Sequence, residues 1–190
     1  MDINYWENFY LNKNIVKEPS DFCIFIMNYF NNSEKIHILD AGCGNGRDSL
    51  YMSNKFKVTG LDTSLVDLKD SVNCKFIKTN FCNYDKTNFN MIYSRFTFHS
   101  ISNEHQEIFL KSITKVGTYL CIETRSDKDI NNNREFGDNH YRNFTNLNYL
   151  KNILEKNKFE ILYIVESNNV AIYKDENPIC IRVICKKKNK

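Results

Sequence analysis

Proline is almost absent from this chain, with two in 190 residues, and glycine is scarce, with six. That excludes collagen-like, proline-rich and glycine-linker compositions. The seven cysteines form no Cys-x-x-Cys pair, and no cysteine and histidine cluster has zinc-ligand spacing, so no metal site is expected. Several cysteines sit inside apolar runs, where a free thiol packs as a small hydrophobe, and this points to a reducing compartment. Long hydrophobic runs are missing too. No stretch approaches the roughly 20 apolar residues needed to span a bilayer, and the N-terminus lacks the basic-then-apolar order of a signal peptide. A cytoplasmic location is the expectation. Neither sign of charge dominates: 26 basic and 23 acidic residues leave a formal charge of +3, so no field calls for nucleic acid.

What is present is a core. A hydrophobic share of 42% and an aromatic share of 14% suit a folded chain, and 190 residues make one domain without a separate substrate domain. Residues 1–32 read as an N-terminal helical cap and 33–190 as a sheet core. Tyr5, Trp6, Phe9 and Tyr10 are spaced as one helical face, which serves either as core packing or as a lid. Pro19-Ser20-Asp21 marks the start of a second helix. From Lys35 onward strands and helices alternate: strands at 35–41, 56–61, 74–77, 91–96 and 118–124, with helices at about 46–54, 64–70, 103–116 and 145–156. Two further strands, 159–165 and 179–185, have no helix between them and read as an antiparallel pair. The pattern predicts an α/β fold, a mostly parallel sheet covered on both faces, whose ligands sit beyond the C-terminal strand ends. The polar loop at 125–143 is long enough to be functional.

The first of these strands runs into Leu39-Asp40-Ala41-Gly42-Cys43-Gly44-Asn45-Gly46-Arg47-Asp48. Glycines at alternate positions let the backbone turn sharply and approach a ligand, with the free N–H groups of the next helix aimed at it. Asp62, 20 residues after Gly42, ends the second strand, where a carboxylate accepts ribose hydroxyls. The dinucleotide fingerprint asks for a third glycine where this chain has Arg47, which disfavours pyrophosphate.

The glycine segment resembles the first motif of class I S-adenosylmethionine-dependent methyltransferases, and Val58-Thr59-Gly60-Leu61-Asp62-Thr63-Ser64 resembles their second. Asn80-Phe81 is similar to the position where that family meets the adenine, and Met91-Ile92-Tyr93-Ser94-Arg95-Phe96 with His99 resembles its fourth-strand motif. The resemblance implies a seven-stranded Rossmann-like sheet with a reversed C-terminal hairpin and S-adenosyl-L-methionine as cofactor. It places Gly42 and Gly44 against the methionine part, Asp62 against the ribose, and Asn80 and Phe81 near the adenine. Asp40, Arg47, Thr63 and Ser94, within or beside these motifs, complete the expected donor site. A sulfonium is a cation without hydrogen-bond donors and suits aromatic faces, so Tyr5, Trp6 and Tyr10 join it as a lid.

For the acceptor, Arg95, Arg125 and Arg142 fall at the substrate end, where guanidinium forks match phosphate or carboxylate. Arg95 and Arg125 could equally pair with Glu123 or Asp127 of the chain itself. His99 is the first candidate base, His140 the second and Glu123 the third; Tyr141 and Glu166 are placed at the acceptor. Ser94-Arg95-Phe96 lacks the Asp/Asn-Pro-Pro-Tyr/Phe of amino-methylating enzymes, and neither Pro19 nor Pro178 precedes a cysteine nucleophile. Tyr5-Trp6-Glu7-Asn8-Phe9-Tyr10, Glu123-Thr124-Arg125-Ser126 and His140-Tyr141-Arg142 are similar to a small group found with bacterial surface-polysaccharide synthesis. The expectation is therefore O-methylation of a small anionic, sugar- or phosphate-linked acceptor such as a glycan intermediate. The alternatives are a thiol, metalloid or halide methyltransferase, or a non-catalytic donor-binding subunit.

Overall fold

The computed structural model describes residues 3–12, 16–64, 68–129, 141–172 and 176–189. Two helices, α1 (Ile3–Asn12) and α2 (Asp21–Tyr29), precede the first strand, β1 (His37–Ala41). Then come α3 (Arg47–Met52), β2 (Lys57–Asp62), β3 (Cys74–Lys78), β4 (Met91–Arg95), α4 (Asn103–Lys111) and β5 (Tyr119–Arg125). The chain ends with α5 (Leu147–Lys156), β6 (Phe159–Ser167) and β7 (Cys180–Lys187). Short 3₁₀ turns follow β4 at Phe98–Ser100 and β5 at Asp127–Asp129.

The seven strands form one sheet in the order β3-β2-β1-β4-β5-β7-β6. All neighbours are parallel except β7, which runs antiparallel to both β5 and β6. This is the expected sheet with its reversed hairpin. The order turns back between β1 and β4, and that switch point opens a crevice at the C-terminal strand ends. β1, β4 and β5 are buried on both faces, which is why their sequences are continuous apolar runs rather than alternating ones. One core, with Leu39, Ile92, Leu120 and Ile122, lies under α4 and α5; the other, with Ile38, Met91, Tyr93 and Cys121, lies under α2 and α3. All seven cysteines are free and buried.

Local chemistry sets the helix ends. Ser20 caps α2 by accepting Cys23 N–H at 3.1 Å, and Asn146 caps α5 by accepting the N–H groups of Asn148 and Tyr149. The helix expected at 64–70 is not present in its described part. Residues 63–64 bend and 68–70 carry no helix, while 65–67 lie outside the described residues. The reason is visible at Ser64, whose N–H donates to Asp62 Oδ1 at 2.8 Å and turns the chain on the aspartate instead. α4 stops at Lys111 rather than 116, and β6 runs on to Ser167.

Lys86, 1% exposed, fastens the segment after β3 to α4. Its ammonium donates to the carbonyls of Phe81 (2.7 Å), Cys82 (3.2 Å) and Tyr84 (2.9 Å) and to Ser112 Oγ (2.7 Å). Lys86→Met keeps the apolar stem but orphans these acceptors, so chemical denaturation should report a loss of about 2 kcal/mol. An unchanged midpoint would mean that water replaces the ammonium without cost.

Candidate functional site

The glycine turn is locked from below. Gly42 and Cys43 donate their N–H groups to Leu61 O at 2.7 and 3.0 Å, and Thr97 Oγ1 donates to Ala41 O at 2.9 Å. Gly42 has φ +82°, and a Cβ there would fall 2.0 Å from Thr97 Cγ2. Gly44 has φ +54°, and its Cβ would lie 2.3 Å from the Tyr10 hydroxyl. Only glycine meets both the left-handed backbone and the crowding. Ser94, which shares a 2.6 Å hydrogen bond with Thr97, supports the turn from inside β4.

Asp62 joins this turn to β2. Its Oδ2 accepts Gly44 N–H at 2.8 Å while Oδ1 accepts Ser64 N–H. Burial pushes the Asp62 carboxyl up from its usual value, opposed by the backbone N–H groups of Ser64, Gly44 and Thr63. Asp40, 2% exposed, accepts Ser49 Oγ at 2.5 Å. Burial raises its pKa to about 8; the Ser49 bond opposes this, and the charges of Asp48 and Asp62 add to it. A carboxyl held above its unfolded value keeps a proton that the unfolded chain releases. Its stabilising contribution is complete below pH about 4 and declines as pH rises to about 8. Asp40→Asn should therefore gain on the wild type as pH rises across that window, with the difference levelling off above pH 8. Urea titrations at several pH values measure it; parallel profiles for the two proteins would refute a protonated Asp40.

A cavity of about 450 Å³ opens over the turn. That lies within the roughly 300–1,000 Å³ usual for small-molecule sites. Of the expected donor residues, Tyr5, Trp6, Tyr10, Asp40, Gly42, Arg47, Asp62, Thr63 and Phe81 line it. Gly44 is covered by the Tyr10 hydroxyl. Asn80 is exposed and off the wall, with its side-chain oxygen accepting Cys82 N–H at 2.9 Å. Arg47 donates to Glu18 O at 3.3 Å and Asn45 to Val16 O at 2.8 Å, so the polar residues of the glycine turn strap down the segment leading from α1 to α2.

At the other end of the cavity lie Arg95, His99, Glu123, Arg125 and Arg142. The forks expected to receive an anion are engaged within the chain. Arg95 Nε pairs with Glu123 Oε1 at 3.0 Å; Arg125 pairs with Asp129 at 3.0 Å and with Glu176 at 2.7 Å. Asp129 and Glu176 thus take the place anticipated for Asp127. His99, 4% exposed, accepts the N–H of Arg125 at Nδ1 (3.2 Å), and Thr124 Oγ1 lies 3.2 Å from the same nitrogen. A backbone N–H can only donate, so the proton of the neutral ring resides on Nε2. Phe96 takes φ +57°, unusual for a non-glycine residue, and lies 4.4 Å from the Arg95 guanidinium. Tyr141, half-exposed, is not on the cavity wall, nor is Glu166, which accepts Ser126 Oγ at 2.6 Å and pairs with Lys128. His140 lies outside the described residues.

Three groups escaped the sequence reading. Arg182 on β7 donates to Glu123 Oε2 at 2.6 Å and to Val170 O, placing Glu123 between two guanidiniums. Asp48 accepts Ser20 N–H, Ser20 Oγ and the Tyr93 hydroxyl, each at 2.7 Å, tying α2, α3 and β4 together beside the cavity. Glu176 comes from the loop between β6 and β7. A lone charge inside an apolar strand was the available signal for Arg182; Glu176 had none.

Sheet order, glycine turn and carboxylate after β2 together define a Rossmann-like fold of the methyltransferase kind. The chain belongs to the methyltransferase domain family, whose model matches residues 15–164. No curated protein matches the chain in sequence. Among solved structures it is similar to an S-adenosylmethionine-dependent methyltransferase from Anabaena variabilis ATCC 29413, with a TM-score of 0.74 and 16% identity over 98% of this chain and 93% of that one. It is also similar to the 1,6-didemethyltoxoflavin-N1-methyltransferase of Burkholderia thailandensis with bound S-adenosylhomocysteine (TM-score 0.72, 13% identity, 98% and 86% covered). A third is a methyltransferase from Methanosarcina mazei (TM-score 0.67, 19% identity, 87% and 98% covered). At these identities the likeness is one of fold.

Proposed function

We propose that this chain transfers a methyl group from S-adenosyl-L-methionine to a hydroxyl of a small polar acceptor, with a sugar-linked intermediate as the first class to try. The observation that carries the donor is Asp62, fixed at the end of β2 by Gly44 N–H and Ser64 N–H on the wall of a cavity faced with Tyr5, Trp6 and Tyr10. The residues fit that cofactor: a carboxylate for two ribose hydroxyls, glycine backbone for close approach, and aromatic faces for a sulfonium. When bound, S-adenosylmethionine supplies an electrophilic methyl group on a positively charged sulfur. Gly42 and Gly44 would hold its amino-acid part, Asp62 and Thr63 its ribose, and Phe81 would line the adenine end; Asn80 has no place in this arrangement.

The chain's own contribution is alignment and the exclusion of water, which for a displacement in line supply most of the acceleration. In this reading α1 closes over the donor, tied to the end of β3 by the Lys78–Glu7 pair at 2.8 Å. His99 lines the acceptor end with Nδ1 engaged by the Arg125 N–H; as the acceptor's O–C bond forms and the donor's C–S bond breaks, the hydroxyl proton passes to water. Arg95 and Arg125 shape the acceptor end while paired with carboxylates, which favours a hydroxyl on a neutral acceptor over a phosphate dianion. No helix of the described residues is long and apolar enough to cross a membrane.

The test is incubation with labelled S-adenosylmethionine and nucleotide sugars, sugar alcohols and sugar phosphates, with mass spectrometry of the products. Methyl transfer to a sugar hydroxyl supports the reading. Transfer to thiols or iodide alone would establish the rival chemistry, and tight donor binding without turnover on any acceptor class would favour a binding subunit.

A further inference from the structure

Arg95 is held on one side only. Its Nε donates to Glu123 Oε1 at 3.0 Å, and no group of the described residues takes a hydrogen bond from Nη1 or Nη2. The side chain stays 20% exposed, on the wall of the cavity. Arg95, Glu123 and Arg182 form one row across the sheet, because Arg95 is the register partner of Glu123 on β5, which is in turn the partner of Arg182 on β7. One carboxylate therefore serves two guanidiniums. Asp48, whose charge also reaches Arg95, has both oxygens taken by Ser20 and the Tyr93 hydroxyl.

The plane of the guanidinium is fixed as well as its edge. Arg95 Cζ lies over the Phe96 ring, 4.4 Å from its centroid, a stacking that guanidinium groups favour. Phe96 reaches that position through φ +57°, a strained backbone secured by its N–H, which donates to Glu123 O at 2.8 Å. A fork with its Nε side bonded, its face packed and its terminal N–H groups open is pre-organised for an oxygen in its own plane. Sharing Glu123 with Arg182 leaves part of the Arg95 charge uncompensated. That suits a carbonyl dipole or a delocalised monoanion, while the carboxylates close by disfavour a dianion. Asp62 after β2 and the glycine turn after β1 take the donor, so the ends of β4 and β5 are left for the acceptor.

We infer that Arg95 binds the acceptor: its terminal N–H groups donate to a planar oxygen of that molecule, the carbonyl or carboxylate oxygen of a group beside the hydroxyl that is methylated. The inference rests on the methyl-transfer reading and deepens it, since it gives the acceptor a second recognised group. Glu123 and Phe96 are then positioning residues, the one setting the edge of the fork and the other its plane. Compounds without such an oxygen leave the fork unmatched and bind less well.

The experiment titrates three probes of similar size, benzamide, benzoate and benzylamine, into the full chain by ligand-observed NMR with and without saturating S-adenosylhomocysteine. Benzamide and benzoate carry a planar oxygen and should bind at least about tenfold more tightly than benzylamine, and the ratio between the two tells a neutral acceptor from an ionised one. Arg95→Met leaves Glu123 its bond to Arg182 and should remove that preference. Benzylamine binding to the wild type as tightly as the other two would overturn the inference, and so would binding by neither oxygen probe; both comparisons decide even if Arg95→Met does not fold. A variant that melts lower yet keeps the wild-type preference would reduce Arg95 to a structural partner of Glu123 and also overturn it. Calorimetry with S-adenosylhomocysteine and with 5′-methylthioadenosine, which lacks the amino-acid part, should give the same affinities for wild type and variant. A loss confined to S-adenosylhomocysteine would assign the fork to the donor's carboxylate and overturn its assignment to the acceptor. Failure of the wild type to bind S-adenosylhomocysteine would instead strike the methyl-transfer reading, while the probe series without it still reads Arg95.

Discussion

Asp62→Ala is expected to weaken S-adenosylhomocysteine binding by about 100-fold or more, measured by calorimetry. Each hydrogen bond to a charged group is worth roughly 1.5–3 kcal/mol, and a ribose diol offers two hydroxyls to one carboxylate. Two such bonds are equivalent to at least a hundredfold, at about 1.4 kcal/mol per factor of ten. The substitution does a second thing. It releases Gly44 N–H and Ser64 N–H, both now 2.8 Å from the carboxylate, so the turn that brings the backbone to the donor loses its tie to β2. Asp62→Asn separates the two effects, because an amide oxygen can still accept one N–H while the charge is gone. If Asp62→Asn binds nearly as well as wild type and Asp62→Ala does not, positioning of the turn dominates. Binding by Asp62→Ala within threefold of wild type would remove Asp62 from the donor site altogether.

The glycine turn and the carboxylate that ties it to β2 were legible because their parts are local. Gly42, Gly44 and Asp62 lie within one strand-turn-helix-strand unit, and backbone geometry forces the residue types. The sheet was legible for a related reason: β1, β4 and β5 are buried on both faces, and such strands announce themselves as unbroken apolar runs. The other end of the cavity is assembled across long separations, which composition and periodicity do not encode. Glu123 meets Arg182 through the antiparallel register of β5 and β7, in which the two residues are direct partners. Each is the one charge in the apolar interior of its strand, the others, Arg125 and Lys186-Lys187, falling at the strand ends, and that coincidence was the only trace of their pairing. Arg95 and Arg125 were placed correctly at the ends of β4 and β5, but their freedom was not readable, since Asp129 and Glu176 reach them through a 3₁₀ turn and a distant loop. The missing helix after β2 has the same lesson on a smaller scale. Asp62 takes Ser64 N–H for itself, and a side-chain turn there competes with the first turn of a helix.

Glu123 decides between two meanings of a carboxylate on a cavity wall. It is fully buried, with Arg95 at 3.0 Å and Arg182 at 2.6 Å, and the Phe96 N–H donates to its backbone oxygen at 2.8 Å. A group so enclosed holds two guanidiniums in place; a group that handles the acceptor's proton would need a hydrogen-bonding position left open to it. Glu123→Gln preserves shape and removes the charge, leaving the buried Arg182 and the part-buried Arg95 with no carboxylate between them. Breaking a buried pair of this kind costs about 3–5 kcal/mol. For a chain of 190 residues that should lower the melting temperature by roughly 10 °C, read by calorimetry or circular dichroism. Arg182→Met should cost less, because Glu123 keeps Arg95, and the double variant Glu123→Gln with Arg182→Met should be more stable than the sum of the two single losses predicts. That non-additivity is the signature of shared charge. A catalytic Glu123 would give the reverse pattern: turnover lost in Glu123→Gln with the melting temperature near that of wild type, and no rescue from Arg182→Met.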